Sequence, residues 1–231
     1  MGAIPLQRGE IYYPESDGQP MGESDLHREE MTYLIKGLQE HFRRDPEVYV
    51  AGNLFFYYKK GDPRSVVAPD VFVIKGVSGE LRRTYKLWEE GESPCLVIEV
   101  TSDSTQDEDL DRKKILYERL GIEEYFLFDP LGDYLSPRLQ GYRFAGDRYQ
   151  PAAAEADGSL RSLTTGVTLR TEGPRARLVK TATGEPILRF EESEAARRAA
   201  AERARAAEER NRSLEEEVAR LRRELQRGGN G

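Results

Sequence analysis

The chain has 231 residues, 38% hydrophobic and 33% charged, with a formal net charge of −7 and a single cysteine. This length allows one domain plus an extension, or two small domains, and one cysteine excludes both an intrachain disulfide framework and a cysteine-rich zinc site. No apolar run is long enough to span a membrane and no signal-peptide pattern opens the chain, so the cytoplasm is the expected location. The acidic balance argues against a broad nucleic-acid-binding face, which usually carries a basic footprint. The excess is uneven, however. Residues 191–227 hold ten Arg and ten Glu, which cancel, so all of the excess lies in residues 1–190. Total charge does not forbid a locally basic groove.

Residues 1–24 are polar and turn-rich, with Pro5, Pro14, Gly18, Pro20 and Gly22, and read as an irregular arm. Ser24 or Asp25 can cap the helix that follows. His27, Met31, Leu34, Ile35, Leu38 and Phe42 form its apolar stripe, and Asp45-Pro46 ends it. His27 and Glu30 lie on or beside the stripe. Each reads either as a secondary site candidate or as an ordinary residue, His27 in the core boundary and Glu30 in solvent. Val48 to Tyr58 reads as one strand with a bulge at Gly52-Asn53. Val66 to Ile74 is an apolar run with one charge, Asp70. Pro69 lacks an N–H and suits a strand start, so Asp70 leads the strand.

Residues 77–94 read as a long loop. Arg82, Arg83 and Lys86 alternate there with Tyr85 and Trp88, a mixture able to pair phosphates and stack on bases, or to make a plain surface loop anchored by Trp88. Cys95 opens a buried strand and reads as a core residue. That strand, which begins with the apolar run Cys95 to Ile98, again has one charge, Glu99. Alternation puts Val97, Glu99 and Thr101 on one face. A carboxylate flanked by Val97, Ile98 and Val100 is costly to bury without a cation or donors. A helical pattern with Leu110, Lys113, Lys114 and Tyr117 follows, ended by Gly121. Asp109, Lys113 and Tyr117 share one face at i, i+4, i+8, while Lys114 points elsewhere as a solvated charge. Tyr125 to Phe128 is a further buried strand, closed by Asp129-Pro130.

After residue 130 short strands are separated by turn signals at Gly146-Asp147, Asp157-Gly158 and Gly166, which predicts an antiparallel appendage over the core sheet. From Glu191 the chain is Ala, Arg and Glu with neither Gly nor Pro until Gly228, the signature of one long helix. No Walker-type phosphate loop and no GxSxG elbow is present.

Two carboxylates on neighbouring strands can hold one hard divalent cation, with the Val100 backbone carbonyl as a third oxygen. Such a cation acidifies water and neutralises phosphodiester charge, and a nearby lysine stabilises the negative transition state. Pro69-Asp70 followed by Glu99-Val100-Thr101 resembles the PD-(D/E)XK, restriction-endonuclease-like superfamily. VAPDVFVIKG, LVIEVTSDST, DLDRKKILYERLGIEEYFLFDP and LQGYRF are similar to the Uma-type endonucleases of bacteria, from about residue 20 to about residue 170. The strand lysine of that motif is Thr101 here, and the Uma-type pattern has its lysine in the following helix, where Lys113 stands.

The resemblance implies an α/β fold: a restriction-endonuclease-like mixed sheet flanked by helices, to which the antiparallel appendage and the C-terminal helix are added. The expected divisions are an arm over 1–24, a nuclease-like domain over 25–190, a coiled-coil helix over 191–227 and a flexible tail over 228–231. It further implies a Mg²⁺- or Mn²⁺-dependent DNA endonuclease with Asp70, Glu99 and Lys113 as catalytic residues. Asp70, Glu99 and the Val100 carbonyl are then the metal ligands, and Thr101, His27 and Glu30 are secondary candidates. RNA as substrate stays open, as does a catalytically silent scaffold or DNA-binding protein built on the same fold.

The long helix has a heptad. Positions a are Arg197, Ala204, Asn211, Val218 and Leu225, and positions d are Ala200, Ala207, Leu214 and Leu221. Val at a with Leu at d favours two parallel strands, and one Asn at a fixes register. The g-to-e′ pairs Arg203–Glu208, Arg210–Glu215 and Glu217–Arg222 are all of opposite charge. A homodimer through residues 191–227 is expected, the other reading being a single solvated helix held by i,i+4 pairs.

Overall fold

A computed structural model describes residues 11–16, 24–101 and 108–228. The chain divides into two units, Met1–Ile187 and Leu188–Gly231. In the first, helix α1 (Asp25–His41) starts at Ser24, whose side chain accepts from the His27 N–H. The strands follow as β1 (Val48–Ala51), β2 (Phe56–Tyr57), β3 (Val66–Val67), β4 (Val71–Lys75) and β5 (Tyr85–Lys86), then the one-turn helix α2 (Leu87–Glu90) and β6 (Leu96–Val100). A π-helical turn, Glu108–Lys113, runs into α3 (Lys114–Arg119). The remaining strands are β7 (Glu124–Phe128), β8 (Leu139–Ala145), β9 (Arg148–Pro151), β10 (Leu160–Arg161), β11 (Val167–Glu172) and β12 (Arg175–Lys180).

The central sheet has the order β1-β4-β6-β7-β8-β9. Only β6 and β7 run parallel within it, and α3 lies in the crossover between them. Both strands are buried along their whole length, as a strand covered on two faces must be. Leu34 and Leu38 of α1 pack on one face with Val71, Val73, Ile98 and Val100. Phe72, Ile74, Val97 and Leu127 face the other way and pack with Tyr117 of α3. Full burial of each such side chain contributes about 1.5–3 kcal/mol, an upper estimate given a compact unfolded chain. Gly121 has φ +68° and ends α3 as the spacing predicts, because glycine enters the left-handed region without a Cβ penalty.

The stretch 48–58 is not one bulged strand. It breaks at Gly52-Asn53, where Asn53 has φ +48°, and β2 leaves for a separate sheet of order β3-β2-β5. The predicted loop over 77–94 supplies β5 to that sheet and then α2. Two-residue strands carry too short a periodicity to be read from sequence. The appendage also resolves differently. The β8–β9 hairpin extends the central sheet itself, because Leu139 and Gly141 alternate toward its core. Only β10, β11 and β12 form a separate antiparallel sheet, tied to α1 through Tyr33, whose hydroxyl donates to Ile187 O and accepts from Leu178 N.

The buried carboxylate of Glu124 joins that sheet's loop to the centre, accepting from Ser162 Oγ, Leu163 N and Thr164 N. The second unit is a single 39-residue helix, α4 (Phe190–Gly228). Leu214 and Val218 are exposed on it. The side chains of Leu221 and Leu225 lie outside the described residues, as do Met1–Glu10 of the expected arm and the last three residues of the expected tail. Among the described residues no helix is long and apolar enough to cross a membrane.

Candidate active site

Strand register brings the two lone carboxylates together. Phe72 pairs with Val97 and Val71 with Ile98 across antiparallel β4 and β6, so the next position sets Asp70 opposite Glu99. Phe72 and Val97 share the α3 side of the sheet, and alternation puts both acids on that side. The contact is direct: the Asp70 N–H donates to Glu99 Oε2 at 3.1 Å.

Asp70 sits just ahead of β4, in a bend held from β1. Asn53 N donates to Pro69 O at 2.8 Å. A Cβ on Gly52 would lie 2.0 Å from the Asp70 carbonyl oxygen, so glycine is required for this approach. The Asp70 carboxylate accepts at Oδ2 from Val100 N at 2.8 Å and lies 3.1 Å from His27 Nε2. Burial would raise its pKa. The hydrogen bond to His27, the charge of Lys113 and the Val100 N–H outweigh that and hold it below the usual carboxylate value. Among the described residues Oδ1 has no hydrogen bond, and the side chain keeps 13% exposure.

Glu99 has no exposure. Tyr117 donates to its Oε1 at 2.6 Å, and Lys113 Nζ lies 3.1 Å from Oε2. Lys113 and Tyr117 are one helical turn apart, so one face of the helix brings both an ammonium and a hydroxyl to this buried acid. The turn ending at Lys113 is π-helical, a local form frequent at functional sites. It departs from the regular helix assumed for Asp109, Lys113 and Tyr117, and the Asp109 side chain lies outside the described residues.

The other sequence candidates separate clearly. His27 is 2% exposed and joins the pair through Asp70. Thr101 is buried, and its hydroxyl has no hydrogen-bond partner among the described residues. The cation beside Glu99 therefore comes from the helix, at Lys113, and not from the third position of the strand motif. Glu30 is not a solvated residue; it is fully buried and accepts from Ala176 N of β12 at 2.7 Å. Lys114 is not simply solvated either, since its Nζ lies 3.8 Å from the Tyr142 ring centroid.

Arg82 is committed within the protein. It binds both oxygens of Glu90 at 2.7 and 2.9 Å, donates to the carbonyls of Ser78 and Glu80, and covers the Tyr49 ring at 4.3 Å. Those contacts occupy its guanidinium within the protein. Arg83 pairs with Glu15 and keeps an 83% exposed side chain, while Lys86 contacts Glu89 and lies over the Tyr13 ring. Trp88 also packs on Tyr13, at 5.1 Å between ring centroids. Cys95 is a buried thiol whose pKa burial pushes up to about 11, consistent with a core residue. Tyr117 is the site residue that sequence reasoning left unassigned. Its signal was present in the need of a buried carboxylate for donors and in a hydroxyl one turn beyond Lys113.

The chain resembles a solved structure from Anabaena variabilis, described as a putative nuclease belonging to DUF820, at 14% identity and a TM-score of 0.44. That likeness covers 63% of this chain and 78% of the other. No curated protein matches. The sequence model of the Uma2 family, described as "Putative restriction endonuclease", matches residues 5–172. With well over half of its length matched, and the paired acids of its sheet beside a helical lysine, the chain belongs to the Uma2 family.

Proposed function

We propose that the protein is a Mg²⁺-dependent endonuclease that hydrolyses DNA phosphodiesters, with Mn²⁺ as a substitute ion. The observation that carries this reading is the contact set at Glu99. One carboxylate touches the backbone of the second acid at 3.1 Å and an ammonium at 3.1 Å. The donor chemistry fits a hard cation: carboxylate oxygens, and nearby the buried Thr101 hydroxyl that has no hydrogen-bond partner among the described residues. Asp70, Glu99 and the Val100 carbonyl would hold it. Among the described residues no three His, Cys, Asp or Glu side chains gather as a metal site, so water and substrate oxygens would complete an octahedral shell. When bound, the ion supplies charge neutralisation at the phosphate and acidifies water.

The chain's own groups do the rest. Tyr117 and Lys113 fix the Glu99 carboxylate in one orientation. His27 and Val100 N fix Asp70 in the same way through Oδ2, and among the described residues Oδ1 has no hydrogen bond. Lys113 stabilises the charge that builds on the attacked phosphate, a role worth about 10²–10³ in rate. Supercoiled plasmid incubated with full-length protein and Mg²⁺ is expected to become nicked and linear, with no product in EDTA and none from an RNA transcript. Intact plasmid and intact single-stranded circular DNA in both Mg²⁺ and Mn²⁺ would overturn the reading in favour of a catalytically silent scaffold.

We also infer that α4 pairs with a second copy as a parallel coiled coil. Leu214 and Val218 are large apolar side chains left exposed on a helix rich in Ala, Arg and Glu, and they occupy successive seam positions. The three opposite-charge flanking pairs fit the same partner and register.

A further inference from the structure

An open cavity of about 730 Å³ reaches Lys113, the partner of Glu99. Lys113 lines it, and so does Ala68, two residues before Asp70. The cavity therefore adjoins both the lysine and the bend that carries the acid. Part of its wall is aromatic, formed by Phe55, Tyr57 and Tyr58. These rings are held in place: the Tyr57 hydroxyl donates to Pro14 O, and Phe55 stands edge-on to Tyr57 at 6.1 Å. The helical segment that supplies Lys113 also contributes Arg112, Ile115 and Arg119, all exposed.

Cations collect at this place in a chain of net charge −7. Besides Arg112 and Arg119, the turn between Tyr58 and Pro63 carries Lys59 and Lys60, both exposed. Among the described residues, Glu15 pairs with Arg83 and Glu118 accepts from Tyr149 N. Asp62 is engaged by Ser65 and Arg64, and Asp111 is exposed on the helical segment.

We propose that this cavity binds an unpaired nucleotide next to the scissile phosphate, which makes single-stranded DNA the preferred substrate over a duplex, and the locally opened strands of a supercoiled plasmid acceptable ones; this rests on the nuclease reading above. A duplex presents its backbone and groove edges, while its base faces are covered by neighbouring bases. A flat basic surface is enough for such a backbone, and an aromatic hollow adds nothing to it. A single strand offers a base face and a phosphate together, which calls for aromatic rings beside cations. The volume falls within the ~300–1,000 Å³ typical of small-ligand sites and so accommodates a nucleotide. The base would stack on Phe55 and Tyr58, with its phosphates toward Lys113 and Arg119.

The test is fluorescence anisotropy of the full-length protein with a labelled oligodeoxythymidylate and with a labelled blunt duplex, in Ca²⁺ to prevent turnover. The single strand is expected to bind about tenfold more tightly than the duplex, within the range for base–aromatic stacking. Phe55→Ala should remove most of that preference and Phe55→Trp should retain it. Arg119→Ala, at an exposed position, should weaken the single strand more than the duplex. Duplex bound as tightly as single strand would overturn the proposal, as would Phe55→Ala weakening both probes equally or neither. Mg²⁺-driven cleavage of both probes keeps the two readings apart. A Phe55-dependent preference without any cleavage would remove the nuclease assignment alone, whereas cleavage without that preference would remove the cavity assignment alone.

Discussion

Lys113 carries two loads, and they predict different measurements. It is the cation placed for phosphate chemistry, and it is also the partner of a carboxylate with no exposure. Lys113→Ala should lower plasmid cleavage by about 10²–10³. It should also cost about 3–5 kcal/mol in denaturant unfolding, because a buried carboxylate loses its ammonium partner. Lys113→Met combined with Glu99→Gln should regain most of that stability and none of the activity. Lys114→Ala should lose only about 1 kcal/mol, from its contact with Tyr142, and leave cleavage near the native rate. Equal loss of activity from Lys113→Ala and Lys114→Ala would show that the wrong lysine had been assigned.

A second residue-scale prediction concerns Glu124. Burial raises its pKa, but hydrogen bonds from Ser162, Leu163 and Thr164 outweigh this and lower it from the ordinary 4.5. A depressed carboxylate contributes stability above its unfolded pKa and loses it as pH falls through the folded value. The melting-temperature gap between native protein and Glu124→Gln should therefore be full at neutral pH and close as pH drops below about 4.5. A gap unchanged down to pH 3 would contradict it. Asp70 and Glu99 stood out because a lone charge in an apolar run demands a partner, whereas Lys113, in a charged stretch, was singled out by its place in the family pattern. The hold of Glu90 on the Arg82 guanidinium was not legible, because composition cannot show which side chains meet.

At the scale of elements, strand alternation and the Gly121 stop marked out β6, α3 and β7 correctly, since those segments are long enough to show a period. The break after β1 was not legible as a break. Gly52 and Asn53 suggested a bulge, and only the packing shows that Gly52 lies against the Asp70 carbonyl. That contact gives glycine a definite task, from which a third prediction follows. Gly52→Ala should destabilise the fold by about 1–3 kcal/mol through overpacking, and should reduce cleavage further by displacing the bend that holds Asp70. Native stability and native rates in Gly52→Ala would show that the bend is adjustable. The edge sheet β3-β2-β5 escaped sequence reading because two-residue strands exist only through their pairing partners. It nonetheless contributes the aromatic wall next to the site.

At the scale of the whole molecule, two statements remain to be measured. The heptad was legible in sequence because Ala, Arg and Glu leave only a few apolar positions, and the structure shows the helix those positions require. Sedimentation of full-length protein at micromolar concentration should give a dimer, and a chain truncated after Ile187 should give a monomer. A full-length monomer, or a dimer that persists after truncation, would contradict pairing through α4. The central claim is that the acids of two strands form a cation site that drives phosphodiester cleavage. Its most direct test is the initial rate of plasmid nicking, measured across a Mg²⁺ titration, for native protein and Asp70→Ala prepared identically. Saturable Mg²⁺-dependent nicking by the native protein, reduced at least about 10²-fold in Asp70→Ala at every Mg²⁺ concentration, is the expected result. Equal rates for the two proteins would contradict it.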